Sequence, residues 1–170
     1  MPSGFRSNLV NIYVLGKNDN ERHFEFQARD LKRIIKDFMP KEVVIDGNGL
    51  GVGLLDFMTR TQFDPKTGET YPAYGSFNDE DMKKTQPRDA IPLVYVIKAN
   101  AKLNSEIHSN CYSRLYSGKV FLLIKEQEAK NKLMATKVGQ KMSVEDRAKR
   151  LLPHEMTTRL CDELGNLRLK

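Results

Sequence analysis

Residues 41–58, Lys-Glu-Val-Val-Ile-Asp-Gly-Asn-Gly-Leu-Gly-Val-Gly-Leu-Leu-Asp-Phe-Met, constrain the fold more tightly than any other part of the chain. Val43, Val44 and Ile45 form a β-branched run of the kind a buried central strand needs. The run ends on a carboxylate, Asp46, and a glycine-rich turn follows. Beyond the turn, Leu50, Leu54, Leu55 and Met58 recur at helical spacing. Strand, acid, tight turn and helix together describe a unit of an open α/β sheet. In such sheets ligands gather outside the carboxyl ends of strands, and Asp46 stands at such an end.

A bare carboxylate is too costly to bury, so Asp46 is solvated, caps the following helix, or coordinates a cation. Hard divalent ions such as Mg²⁺ or Mn²⁺ take carboxylate oxygens. A two-metal phosphodiesterase site holds its ions about 3.5–4 Å apart, and one carboxylate does not make such a site. Gly47, Gly49, Gly51 and Gly53 alternate. They match neither the dinucleotide fingerprint nor a P-loop, because the third glycine is misplaced and no Lys-Ser/Thr follows. A helix N-terminus can cradle a phosphate, but a tight turn with close helix-to-strand packing explains the glycines more simply. Asp56, two or more turns further along, reads as a surface residue or as one that supports the site from behind Asp46. His108 with Cys111, and His154 with Cys161, lack zinc-finger spacing, and Cys111 falls on an apolar stripe that points to core packing.

Around this stretch, residues 9–15 alternate as a strand, 16–20 turn, and 22–26 are expected to pair back as a short strand. Ala28, Leu31, Ile34, Ile35 and Phe38 mark a helix face that ends at Pro40. With residues 43–45 this makes a βαβ-like unit. Residues 62–92 hold Pro65, Gly68, Pro72, Gly75, Pro87 and Pro92 with little apolar periodicity. They read as a long projecting loop whose acids (Asp64, Asp79, Glu80 and Asp81) are solvated. Residues 93–99 return to strand. Leu103, Ile107, Cys111 and Leu115 form a helical stripe stopped at Gly118. A strand at 120–124, helices at 126–136 and 144–151, and a last helix from Pro153 burying Met156, Leu160, Leu164 and Leu167 complete the expectation.

One domain is expected from 170 residues. The apolar and charged fractions, 39% and 29%, are those of a globular protein rather than a disordered one. No apolar run reaches membrane-span length, and residues 1–6 lack the apolar core of a signal peptide. The net charge of +6 favours a polyanionic partner. Basic clusters occur at Lys32, Arg33 and Lys36, at Lys83, Lys84 and Arg88, and at Arg147, Lys149 and Arg150. The middle cluster is the best candidate for contacting a DNA backbone.

The segment Val44-Ile45-Asp46-Gly47-Asn48-Gly49-Leu50-Gly51-Val52-Gly53-Leu54-Leu55-Asp56-Phe57-Met58 resembles the central strand and turn of the nuclease domain of phage terminase large subunits. Phe26-Gln27-Ala28 leading into Leu31-Lys32-Arg33, residues 94–100, and residues 152–160 resemble the same domain in the same order. The resemblance implies an RNase H-like mixed sheet flanked by helices, lacking the first strand and the C-terminal segment. It implies a metal-dependent endonuclease that cuts concatemeric viral DNA during packaging in the cytoplasm of the infected host, using Mg²⁺ or Mn²⁺. The implied partners are double-stranded DNA, the remainder of the large subunit, the portal and the small terminase. Such domains take acids from several strands. Asp46 matches the second, while the first is expected upstream of Met1 and the third beyond Lys170. A fragment of this kind either completes a nuclease with a complementary chain or acts without catalysis as a binding subunit. An unrelated α/β binding protein is a further alternative.

Overall fold

A computed structural model of the chain describes residues 5–14, 23–49 and 51–166. Its elements begin with β1 (Ser7–Asn8), α1 (His23–Phe38), β2 (Val43–Asp46), α2 (Gly51–Met58), β3 (Gln62–Asp64), β4 (Glu69–Tyr71) and β5 (Tyr74–Ser76). They continue with α3 (Glu80–Thr85), β6 (Ile91–Ile97), α4 (Ala101–Tyr116), β7 (Val120–Phe121), α5 (Glu126–Met134), α6 (Lys137–Lys141) and α7 (Val144–Asn166). The described residues are mixed α/β, 54% helix and 16% strand, so helices predominate over the small sheets. Two compact units emerge, Leu15–Ile107 and the pair of segments Met1–Val14 and His108–Lys170, and their boundary falls within α4.

In the first unit three parallel strands lie in the order β2-β6-β5. β6, not β2, is the central strand. Among the described residues the outer edge of β2 carries no partner, and Val44 is 55% exposed. The β-branched run therefore sits at a sheet edge, where a central place was expected. Ile45, Leu93, Val94 and Val96 from the sheet meet Ala28 and Ile35 of α1 and Leu55 and Met58 of α2 in one core. Strand β5, helix α3 and strand β6 form a short βαβ crossover.

The apolar face of α1 is real but shifted. Ala28 and Ile35 are buried, whereas Phe38 is 52% exposed at the helix end. The third fully buried position of the helix is Lys32, whose Nζ donates to the Arg60 carbonyl. The helix starts at His23, so Phe24 and Phe26 are helical where a paired strand was expected. Residue 22, the turn at 16–20, Leu15, Leu50 and Leu167 lie outside the described residues.

Residues 62–92 are not a structureless loop. β3 and β4 form an antiparallel hairpin, Gln62 opposite Tyr71, and β5 and α3 follow. The hairpin is fastened by Asp64, which is completely buried. Arg33 donates to its Oδ2 from Nη2 at 2.6 Å and Nε at 3.1 Å, and the Lys66 N–H donates to Oδ1 at 2.9 Å. Burial pushes the Asp64 carboxyl up, but the hydrogen bonds from Arg33 and Lys66 outweigh it and hold it below the usual carboxylate range. Two of the four acids expected to be solvated are thus withdrawn from solvent, Asp64 here and Asp79 as the N-cap of α3, while Glu80 and Asp81 stay exposed.

In the second unit β1 pairs with β7 in parallel over two residues. β7 is shorter than the strand expected at 120–124, and residues 9–14, expected as a strand, form none, the strand lying just before them at Ser7–Asn8. α5 packs on α6 and α7. α7 is one helix running through Pro153, not two. Thr157 is its only buried residue among those described, and Met156, Leu160 and Leu164 are half-buried rather than core. No residue of α4 is buried, so the stripe through Leu103, Ile107 and Cys111 is an exposed face, contrary to the core packing expected of Cys111. Among the described residues no helix is long and apolar enough to cross a membrane.

Burial pushes the Lys32 ammonium down from 10.5 to about 8. Between these values the unfolded chain binds more protons than the folded one, so this residue makes stability rise with pH. Urea unfolding at pH 7.5 and 10.5 is expected to show wild type gaining up to about 3 kcal/mol relative to Lys32→Met. Equal pH slopes in the two proteins would show that burial does not lower the pKa of this lysine.

Candidate functional site

Asp46 is the last residue of β2, level with Ile97 of β6. The parallel ladder continues one step past it, with the Gly47 N–H donating to the Ile97 carbonyl at 2.8 Å. Asn48 then ties the turn to the far end of β6, its Nδ2 donating to the Ala99 carbonyl at 3.1 Å. Asp46 closes the turn itself: Oδ1 accepts the Asn48 N–H at 3.0 Å. The carboxylate is exposed, and Oδ2 has no hydrogen-bond partner among the described residues. Of the three expectations for this acid, helix capping is not what is found. α2 begins at Gly51, five residues on, and Asp46 makes no bond to its first N–H groups.

Gly47 and Gly51 are steric necessities of this turn. A Cβ at Gly51 would lie 1.7 Å from the Asp46 carbonyl oxygen, and one at Gly47 would lie 2.5 Å from Val96 Cγ1. The turn must fold back on the strand end for α2 to start where it does, so the backbone approach leaves no room for a side chain.

Beside Gly47 lies a hollow of about 250 Å³, lined in part by Asp56, Asp79, Asp81, Met82 and Lys98. Lys98 leaves the end of β6 and pairs with Asp79 Oδ2 at 2.6 Å. The Lys98 ammonium and the Met82 N–H hold the Asp79 carboxyl below its usual range, and Asp79 in turn raises Lys98. Asp56 and Asp81 are exposed and pair along their own helices with Arg60 and Lys84. This acid–base pair at the mouth of the sheet was not picked out from the sequence. Its partners lie 19 residues apart and neither spacing nor residue type marks them.

Asp46 fits a hard cation as a single ligand, because it offers one free, solvent-facing carboxylate oxygen. Among the described residues no three His, Cys, Asp or Glu side chains converge as a group that could hold a metal ion. Cys111 and Cys161 are free thiols, and His154 Nδ1 is bonded to the Ile124 carbonyl.

The basic clusters are distributed unevenly. Lys32 is buried, Arg33 is committed to Asp64 and Asp30, and Lys36 pairs with Glu69, so that trio presents no cationic patch. Lys83 pairs with Glu80 at 2.8 Å and Lys84 with Asp81 at 3.4 Å on α3 itself, which leaves Arg88 the least matched of its group. Residues 15–107 hold 14 Lys and Arg against 15 Asp and Glu, a net of −1. Segments 1–14 and 108–170 hold 14 against 7, a net of +7.

Gly51→Ala is expected to force the turn off the strand end and lower the unfolding free energy by about 1–3 kcal/mol or more, the usual cost of overpacking. Chemical denaturation measures it, and an unchanged midpoint would refute the close approach. Comparison with family models, with curated proteins and with solved structures returns no match for this chain.

Proposed function

We propose that this chain is part of the nuclease domain of a phage terminase large subunit, with an RNase H-like sheet, and that Asp46 supplies one carboxylate to a divalent-metal site that cuts double-stranded DNA. The observation that carries the reading is the exposed Asp46 carboxylate at the carboxyl tip of a parallel strand whose other edge has no partner among the described residues. A further strand paired along β2 would bring its own tip beside Asp46, since neighbouring strands lie about 4.8 Å apart. That is the spacing at which two carboxylates can share hard cations. The parallel β2–β6 pair, with α2 following the acid, suits this family reading.

Mg²⁺ or Mn²⁺, when bound, supplies Lewis acidity at the phosphate and a more acidic water. The part of this chain is to hold Asp46 in a fixed, solvent-open position through the Asn48 N–H bond and the glycine turn. The stem of Lys98 packs beside Gly47, while its ammonium is paired with Asp79.

A second reading, a non-catalytic fragment that binds a complementary part of the large subunit, the portal, the small terminase or DNA, draws support from the second unit. Ala129 is the only buried hydrophobic residue there among those described, while Phe5, Val10, Val14, Tyr112, Tyr116 and Val144 are exposed. The two readings separate in one assay. Plasmid incubated with the chain and Mn²⁺, with and without a complementary segment bearing further acids, is expected to be nicked only when the segment is present. Asp46→Ala should abolish nicking by 100-fold or more. Nicking that survives Asp46→Ala would remove the assignment. No nicking under any combination would leave the binding-subunit reading in possession.

A further inference from the structure

In the second unit, α5, α6 and α7 surround a groove of about 460 Å³, within the roughly 300–1,000 Å³ range of ligand clefts. Leu133 and Leu151 are half-buried in it, and Val138 stands at its edge with 65% of its surface exposed. Three cationic or titratable side chains, Lys132, Arg150 and His154, complete the lining, and no carboxylate lines it. Lys132 is matched by Glu128 on its own helix at 2.7 Å, and His154 Nδ1 is bonded to the Ile124 carbonyl. Arg150 is exposed and forms no ion pair among the described residues. The groove thus combines an apolar floor with a cationic margin, in the unit that carries a net charge of +7.

We propose that this groove docks an acidic amphipathic helix of a partner protein. Apolar side chains at i, i+3/i+4 and i+7 of such a helix would fill the space over Leu133, Val138 and Leu151, and its carboxylates would face Arg150, the cation of the margin with no ion pair among the described residues. Charge complementarity decides among occupants. A second copy of this unit would bring a further +7 against the margin. A nucleic-acid backbone would satisfy the cations but has no apolar group to cover the floor. The inference is independent of the nuclease reading, which concerns the other unit.

The test uses the full chain and a fluorescein-labelled helical peptide of about 18 residues, with leucines at i, i+3, i+4 and i+7 and glutamates elsewhere. A peptide of the same composition with the leucines dispersed, and a duplex DNA of about 20 base pairs, serve as comparisons. Fluorescence anisotropy is expected to show saturable binding of the striped peptide and at least tenfold weaker binding of the dispersed one. Val138→Glu and Arg150→Glu, both at exposed positions, should each weaken the striped peptide at least tenfold, with helical circular dichroism retained. Equal binding of the two peptides by the wild-type chain overturns the proposal whether or not the variants fold. So does the absence of saturable binding, or displacement of the striped peptide by the duplex at matched charge.

Discussion

The pairing of β2 with β6 carries the rest of the first unit. Each of the four residues of β2 has its partner on β6, from Val43 opposite Val94 to Asp46 opposite Ile97. Two more bonds, from the Gly47 N–H and the Asn48 side chain, extend that attachment past the strand end. The site is precise because the chain is held before and after Asp46, so the carboxylate is free to face water without being free to wander. The same pairing brings Ile45 and Val96 into the core and sets where α2 begins. A one-residue slip would turn Ile45 outward and Val44 inward, exchanging a 7% exposed residue for a 55% exposed one.

The two units are stabilised differently. The first has a contiguous core and a buried ion pair, Arg33 with Asp64, which joins α1 to the β3–β4 hairpin. Asp64 is buried while Arg33 is partly exposed, so loss of Arg33 would leave a buried carboxylate without compensation, the costlier of the two losses. The second unit gathers most of the net positive charge and buries few side chains. Burying one Leu- or Val-sized side chain is worth about 1.5–3 kcal/mol, so a helical unit with Ala129 as its buried apolar residue gains little from this source. Its exposed apolar groups are surface that a partner can use.

Periodicity made much of the fold legible. The β-branched run, the apolar spacing of α1, the strand at β6 and the α4 stop at Gly118, whose φ is +64°, all follow from local patterns. What failed to show was long-range compensation. Asp64 looks like a loop acid until Arg33, 31 residues earlier, is placed against it. Residues 62–92 lack apolar periodicity because their burial comes from single residues such as Tyr71, Ala73 and Tyr74 rather than from a repeating face. Pro153 reads as a helix start, yet α7 runs through it. At the site, the place of Asp46 at a strand end was legible from the strand–acid–turn order, whereas its exposure was one of three outcomes that order left open. The Lys98–Asp79 pair beside it was not legible, since it depends on β6 and α3 meeting in space.

Asp46 is proposed as the residue at which a hard cation meets this chain. Paramagnetic relaxation by substoichiometric Mn²⁺, read on the backbone amide resonances of the ¹⁵N-labelled protein, tests this without requiring catalysis. Broadening centred on Asp46, Gly47 and Asn48, and lost in Asp46→Asn, is the predicted result. Broadening centred instead on Asp79 and Asp81, or unchanged in Asp46→Asn, would contradict it.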